Sequence, residues 1–154
     1  MIKFEPLSGM ENVQVRPKKR GSSVSLVRVL VVEDFPPFRQ FIGSALARRS
    51  DLQIVGEAAD GEEAVQKAKE LQPDLILLDI GLPTLNGIEA AQQIRQVAPE
   101  SKIIFVTQES STDVVQKAFN SGAHGYVVKT KAASELLAAT EAVLDGKQFL
   151  SSGL

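Results

Sequence analysis

The sequence predicts an α/β fold: a doubly wound parallel sheet of five strands with helices on both faces. From Val27 onward, short aliphatic runs alternate with segments whose apolar residues recur at helical spacing, the pattern of repeated βα units. Most of the runs are continuously apolar, as strands covered on both faces should be. The chain has 154 residues, 44% of them hydrophobic, which is enough for one core of this kind.

The strands are predicted where β-branched and aliphatic residues are concentrated. They are Arg28–Val32, Gln53–Ala58, Leu75–Leu78, Lys102–Val106 and Gly125–Val128. A helix is expected after each of them. Pro36 and Pro37 suit the first turn of the first helix, and Gly146 suits the end of the last one. The apolar residues expected on the buried faces of helices one to five begin at Phe38, Ala64, Ile88, Val114 and Leu136.

Composition excludes several classes of function. The chain has no cysteine, so disulfides, thiolate metal sites and a cysteine nucleophile are ruled out. The longest unbroken aliphatic runs, Val29–Val32 and Leu75–Leu78, have four residues each, whereas a membrane helix needs about 20. The first residues lack the apolar core of a signal peptide. We therefore expect a cytoplasmic protein that does not contact a membrane.

Charge is unevenly distributed along the chain. The net charge is −2, but residues 1–26 contain five Lys or Arg and two Glu. We interpret residues 1–26 as a basic, flexible tail; a contact with an acidic partner or nucleic acid is the alternative. Residues 27–150 form the predicted domain, and residues 151–154 are a stub or the start of a linker. The acidic domain is a poor sequence-independent binder of nucleic acid.

Polar side chains follow four of the predicted strands. They are Glu33, Asp34, Asp79, Thr107 and Lys129. In a doubly wound sheet, ligands bind outside these carboxyl ends of the strands. Two carboxylates about 4 Å apart repel by about 4 kcal/mol at an effective dielectric near 20, so three of them favour a cation. Oxygen ligands suit Mg²⁺; zinc lacks ligands, since His124 is the only histidine.

A carboxylate beside a cation can act as a nucleophile and form an aspartyl phosphate. Phosphoryl transfer is catalysed mainly by positioning and charge stabilisation, for which Thr107 offers a hydroxyl donor and Lys129 a positive charge. Each residue taken alone has a simpler interpretation. Glu33, Asp34 and Asp79 could serve as helix caps or turn residues, Thr107 as a strand-end threonine and Lys129 as a solvated lysine.

Four ordered motifs carry a resemblance to a known family. They are Val31–Asp34, Leu77–Glu89, Phe105–Thr107 and Gly125–Lys129. Successive spacings of 45, 28 and 22 residues separate four residues of these motifs: Asp34, Asp79, Thr107 and Lys129. With these motifs, residues 27–150 resemble a response-regulator receiver domain, the family of the chemotaxis protein CheY. The amino-acid sequence of Asp79–Glu89 is most similar to that of receivers of NarL/FixJ-type transcription regulators.

The resemblance implies the sheet order 2-1-3-4-5 and a role for each site residue. Asp79 is implied to accept a phosphoryl group from the phosphohistidine of a sensor histidine kinase. Mg²⁺ is implied to be bound by Glu33, Asp34, Asp79 and the backbone carbonyl of Gly81. Thr107 and Tyr126 are implied to form a switch pair, in which the hydroxyl moves to the phosphoryl group and the ring turns inward. Lys129 is implied to hold phosphoryl oxygens.

The resemblance also implies an output. Two new hydrogen bonds to the phosphoryl group, from Thr107 and Lys129, are worth roughly 3–6 kcal/mol, and about 5.5 kcal/mol moves an equilibrium from 1:99 to 99:1. The surface of helix four, strand five and helix five is expected to change and to control transcription. A phosphorylation-dependent homodimer is plausible from the family. DNA binding by this chain is not expected, because Lys147–Leu154 is too short for a helix-turn-helix.

Other functions remain open at this point. The chain is either the receiver of a longer regulator or a stand-alone receiver that acts through protein contacts or a phosphorelay. In both cases it catalyses only its own phosphorylation and dephosphorylation. A phosphorylation-independent interaction module is one alternative. A phosphatase-like hydrolase is another, although Asp79–Gly81 lacks the second Asp expected beside such a nucleophile.

Two positions depart from the family pattern. Thr130 follows Lys129, where many receivers have a proline with a cis bond, so the isomer of this bond is open. Gln108 follows Thr107, where a small residue is common. A bulky Gln108 is expected to narrow access to the site and to alter the lifetime of the phosphoryl group.

Overall fold

The computed structural model describes residues 25–154. The strands are β1 Val27–Val32, β2 Leu52–Ala58, β3 Leu75–Leu78, β4 Lys102–Thr107, β5 Gly125–Val128 and β6 Phe149–Leu150. The helices are α1 Pro36–Leu46, α2 Gly61–Leu71, α3 Gly87–Val97, α4 Thr112–Asn120 and α5 Ala132–Leu144, with a 3₁₀ turn at Lys129–Lys131. The predicted tail, residues 1–26, lies outside the described residues except for its last two.

All neighbouring strands pair in parallel, in the order β2-β1-β3-β4-β5-β6. The predicted order 2-1-3-4-5 is thereby confirmed. The predicted count of five strands is corrected to six, because β6 pairs with the outer edge of β5, opposite Gly125 and Tyr126. A strand of two residues is too short to show a hydrophobic period, so the sequence did not reveal it.

Helices cover both faces of the sheet, as predicted. The apolar residues of α2, α3 and α4 form one buried cluster with Leu30 and Val32 of β1. Those of α1 and α5 form the other cluster with Val29 and Val31. Successive residues of β1 thus enter opposite cores, because side chains alternate across a strand. This explains why β1 is apolar from Val29 to Val32 and β3 is apolar throughout. None of the helices in residues 25–154 has the length and hydropathy needed for a membrane span.

The helix starts leave the acidic residues after β1 available for other roles. Helix α1 begins with Pro36 and Pro37, and no side chain caps it. Proline has no backbone N–H group, so this helix end has fewer donors to satisfy. Asp34 therefore does not serve as the cap that the sequence left open. Helix α3, by contrast, is capped by Asn86, whose side chain accepts from two backbone N–H groups.

Candidate functional site

Three carboxylates meet at the carboxyl edge of the sheet. The backbone N–H of Asp79 donates to the carbonyl of Val32 (3.1 Å), which places the end of β3 beside the end of β1. One oxygen each from Glu33, Asp34 and Asp79 lies within 4.8 Å of the others. Glu33 and Asp79 are buried, at 1% and 7% exposure, whereas Asp34 is exposed. The predicted convergence of these side chains is what the fold produces.

Lys129 is paired with two of these carboxylates. Its Nζ lies 2.9 Å from Glu33 Oε1 and 3.0 Å from Asp79 Oδ2, and its side chain is only 12% exposed. Burial of Lys129 opposes its charge, but its hydrogen bond to Asp79 and its ion pairs with Glu33 and Asp79 outweigh burial and raise the pKa of the ammonium. Lys129 is therefore not the solvated lysine of the simpler interpretation.

Glu33 is the most buried acid of the site. Its Oε2 accepts the backbone N–H of Phe35 at 3.0 Å. Its Oε1 is in ion-pair range of Lys129 but accepts no hydrogen bond of regular geometry. Burial raises the pKa of the Glu33 carboxyl, a shift that Lys129 and the Phe35 N–H only partly offset. A buried carboxylate oxygen without a regular donor is suited to a cation.

Asp79 is held by its own loop. Its Oδ1 accepts the backbone N–H of Ile80 at 2.7 Å, and the N–H of Gly87 donates to the carbonyl of Ile80 at 2.8 Å. A Cβ atom added to Gly87 would lie 2.0 Å from the carbonyl oxygen of Asp79. The first turn of α3 thus packs directly against the backbone that carries Asp79, and only glycine permits this approach.

The remaining predicted residues line the same cleft, which has a volume of about 220 Å³. Its walls include the three carboxylates together with Gly81, Thr107 and Lys129. Thr107 is 2% exposed. Gln108 also lines the cleft and is exposed. No peptide bond in the described part of the chain is cis, so the bond between Lys129 and Thr130 is trans.

Tyr126 lies beneath this cleft rather than in it. Its ring is fully buried and packs beside the rings of Phe105 and Phe119, with centroids 6.3 Å and 6.5 Å away. Its hydroxyl donates to the carbonyl of Glu109 at 2.8 Å. Burial, reinforced by the nearby charges of Glu109 and Asp79, raises the pKa of Tyr126 to about 12. The ring thus occupies the inward position that the resemblance assigns to the switch.

The site residues fit a hard divalent cation. Oxygens of three ionised carboxylates within 4.8 Å of one another would repel by about 3.5 kcal/mol a pair or more at an effective dielectric near 20, and Lys129 contributes only one positive charge against them. Side-chain oxygens from Glu33, Asp34 and Asp79 could bind Mg²⁺, and Gly81 borders the same cleft.

The sequence did not indicate one neighbour of the site. The ring of Phe38 lies 4.7 Å from Lys129 Nζ; the sequence placed Phe38 on the buried face of α1 but offered no sign of this contact. His124 bonds to the backbone of the sheet, because its Nδ1 accepts the N–H of Ile103 at 3.1 Å. Burial, together with the charges of Lys102 and Arg95, lowers the pKa of His124.

Comparison with known proteins agrees with this geometry. Residues 29–141 match the family described as the response regulator receiver domain. The chain belongs to the response-regulator receiver family. VraR of Staphylococcus saprophyticus is 37% identical over 110 residues, which cover 71% of this chain and 53% of that protein. VraR of Staphylococcus aureus is 38% identical over the same length. The chain spans about half the length of the curated relatives it matches.

Solved receiver structures show the same fold. A LuxR-family two-component response regulator from Aurantimonas superposes with a TM-score of 0.79 at 37% identity, over 83% of this chain and 91% of that one. The signal receiver domain of NarL from Mycobacterium tuberculosis gives 0.76 at 29% identity, over 80% and 99%. These neighbours confirm the resemblance to receivers of transcription regulators.

Proposed function

We propose that this receiver domain is a phosphorylation-controlled switch whose phosphoacceptor is Asp79. The observation that carries the proposal is the position of the Asp79 carboxylate, which opens to the cleft while paired with Lys129 at 3.0 Å and grouped with Glu33 and Asp34. A nucleophilic carboxylate, a cationic partner and acidic ligands for a metal are the parts that phosphoryl transfer to aspartate requires. A sensor histidine kinase is the proposed donor.

In the proposed reaction, an oxygen of Asp79 bonds to phosphorus as the bond between phosphorus and the histidine nitrogen of the kinase breaks. Lys129 pairs with oxygens of the transferred group and offsets their charge. The hydroxyl of Thr107 donates to another of these oxygens. Mg²⁺, when bound by Glu33, Asp34, Asp79 and the carbonyl of Gly81, supplies positive charge that stabilises the developing charge on the phosphoryl group.

The proposed switch connects the cleft to the surface of α4, β5 and α5. Thr107 ends β4 opposite Val128, and Tyr126 lies two residues earlier on the neighbouring strand β5, opposite Phe105. Movement of Thr107 toward a phosphoryl group would favour the inward ring of Tyr126 and its hydrogen bond to Glu109. Two charge-assisted hydrogen bonds of roughly 1.5–3 kcal/mol each are enough to shift a two-state equilibrium decisively.

We propose that the receiver acts in the cytoplasm and controls transcription through a DNA-binding domain that lies outside this chain. Its proposed active form is a phosphorylation-dependent homodimer. The support is the similarity to VraR and to LuxR-family regulators. A stand-alone receiver that acts by protein contact is the alternative. Among the described residues, the acids grouped with Asp79 within 4.8 Å are those assigned to the metal. Glu109 also lines the cleft but does not belong to this group, so the hydrolase interpretation lacks a second acid close to Asp79.

Intact-protein mass spectrometry after incubation with acetyl phosphate tests the phosphoacceptor. Wild type should gain one phosphoryl group with Mg²⁺ and none with EDTA, and Asp79→Asn should gain none in either case. Asp113→Asn, which removes an exposed carboxylate from α4, should be labelled like wild type. Labelling of Asp79→Asn at normal stoichiometry would refute the assignment. An unlabelled wild type that still binds Mg²⁺ would indicate a phosphorylation-independent interaction module.

A further inference from the structure

The ammonium group of Lys129 has an aromatic neighbour as well as its two acids. Nζ lies 4.7 Å from the centroid of the Phe38 ring, within the range of an attractive cation–π contact. Phe38 belongs to α1 and Lys129 follows β5. The contact therefore joins two residues that are 91 positions apart in the sequence. The Lys129 side chain is 12% exposed, and removal of water strengthens the attraction.

The acid partners of Lys129 cannot hold it in one place throughout the proposed reaction. Glu33 and Asp79 are the residues proposed to bind the cation and to carry the phosphoryl group, so their negative charge becomes shared with those groups. The Phe38 ring neither binds the cation nor carries the phosphoryl group. Its partner on α1 is Phe41, whose ring centroid is 5.2 Å away, and both rings pack against the core formed by α1 and α5. Phe38 is thus the neighbour of Lys129 whose interaction stays constant.

The shape of the surroundings also assigns Phe38 a steric role. A second cleft, of about 460 Å³, adjoins Lys129 and is lined by Phe35, Phe38, Gln108, Lys129 and Thr130. This cleft offers the flexible lysine side chain a space away from Asp79. Because the Phe38 ring forms part of its wall and attracts the ammonium to its face, the ring limits how far Nζ can move from Asp79.

We propose that Phe38 is a positioning residue that aims Lys129 at the phosphoryl group on Asp79. This inference rests on the proposed phosphoacceptor function. Phe38 does not touch the reacting atoms and acts through Lys129. Its contribution depends on the negative potential of the ring face, so a ring of similar size but with weaker potential should place Lys129 less well.

Progressive fluorination of the Phe38 ring tests this inference, because fluorine withdraws electron density while ring shape is nearly preserved. We expect the rate constant for phosphorylation by acetyl phosphate to fall in steps with each added fluorine. Phe38→Leu should lower it by about three- to thirtyfold, the range expected for cation–π contacts from exposed to desolvated sites. Phe38→Trp, which restores a strong ring face, should recover most of the rate. The nitrogen-15 signal of the Lys129 ammonium should shift across the series even without phosphodonor.

The controls separate this role from packing. Leu46→Ala removes a buried side chain two turns further along the same helix and should lower stability while leaving the rate unchanged. In a Lys129→Gln background, Phe38→Leu should have no further effect on the residual rate. Equal rates and equal Lys129 signals across the fluorinated series, in a protein that is labelled normally on Asp79, would overturn the positioning role alone. Absence of labelling in wild type would instead refute the proposed function.

Discussion

Replacement of Gly87 by alanine tests how α3 holds the phosphoacceptor loop. The added Cβ atom would lie 2.0 Å from the carbonyl oxygen of Asp79 and 2.7 Å from the Cα of Ile80, and both atoms belong to backbone that cannot rotate away. Overpacking of this kind costs about 1–3 kcal/mol, and the hydrogen bond from Gly87 N–H to Ile80 (2.8 Å) would lose about 1 kcal/mol. The higher helix propensity of alanine returns up to about 1 kcal/mol. We expect a net loss of about 1–3 kcal/mol.

Gly81→Ala is the matched control in the same loop. A Cβ atom added to Gly81 has no neighbour within 4 Å, and the backbone carbonyl proposed as a metal ligand is retained. Urea unfolding should therefore place Gly81→Ala within about 0.5 kcal/mol of wild type and Gly87→Ala well below it. Displacement of Asp79 by about 1 Å should also slow phosphorylation by acetyl phosphate up to about 100-fold. Equal unfolding free energies for the two variants would refute the packing argument.

Two further predictions concern β5 and the strand edge beside it. Tyr126 is the only tyrosine and the chain has no tryptophan, so absorbance near 295 nm should titrate with a midpoint near pH 12 in the folded protein and near pH 10 in urea; a folded midpoint of 10 would contradict its burial. Because folding raises the pKa of Tyr126, the protonated phenol contributes to the free energy of unfolding. This contribution is complete below pH 10, and about 2–3 kcal/mol of it is lost as pH rises through 12. Ser151→Ala should lower the free energy of urea unfolding by about 1–3 kcal/mol, because the Ser151 hydroxyl accepts the N–H of Val128 (2.9 Å) and donates to Glu135 (2.5 Å). The control Ser152→Ala, at an exposed position, should change this free energy little. An equal loss in both variants would refute the stabilising role of the Ser151 hydroxyl.

Much of the fold was predictable because the layered sheet imposes a simple pattern. A strand covered on both faces must be apolar throughout, so β3, with the sequence LILL, was recognisable without any structure. Boundaries moved by one residue at β1, β2 and β4, as expected where hydrogen bonds extend beyond the apolar run. Strand β6 was missed because its pairing depends on the edge that β5 presents rather than on its own two residues.

The candidate site was predictable to the same extent and for a related reason. Parallel strands bring their carboxyl ends to one edge, so the order of motifs along the chain already predicted that Glu33, Asp34, Asp79, Thr107 and Lys129 converge. Which atoms pair within that group was not readable. The division of Lys129 between Glu33 and Asp79 depends on side-chain burial and on distances of about 3 Å, which no spacing in a sequence encodes.

By itself, the sequence determined the doubly wound fold, the set of polar residues at the carboxyl edge of the sheet and the family to which the chain belongs, because these follow from local periodicity and from motifs in fixed order. Only the tertiary structure decided that Phe38 lies over Lys129, that Gly87 presses on the backbone of Asp79 and that Ser151 closes the edge of β5. Each of these contacts joins separate elements through close packing, so its geometry forms only when the helices pack against the sheet.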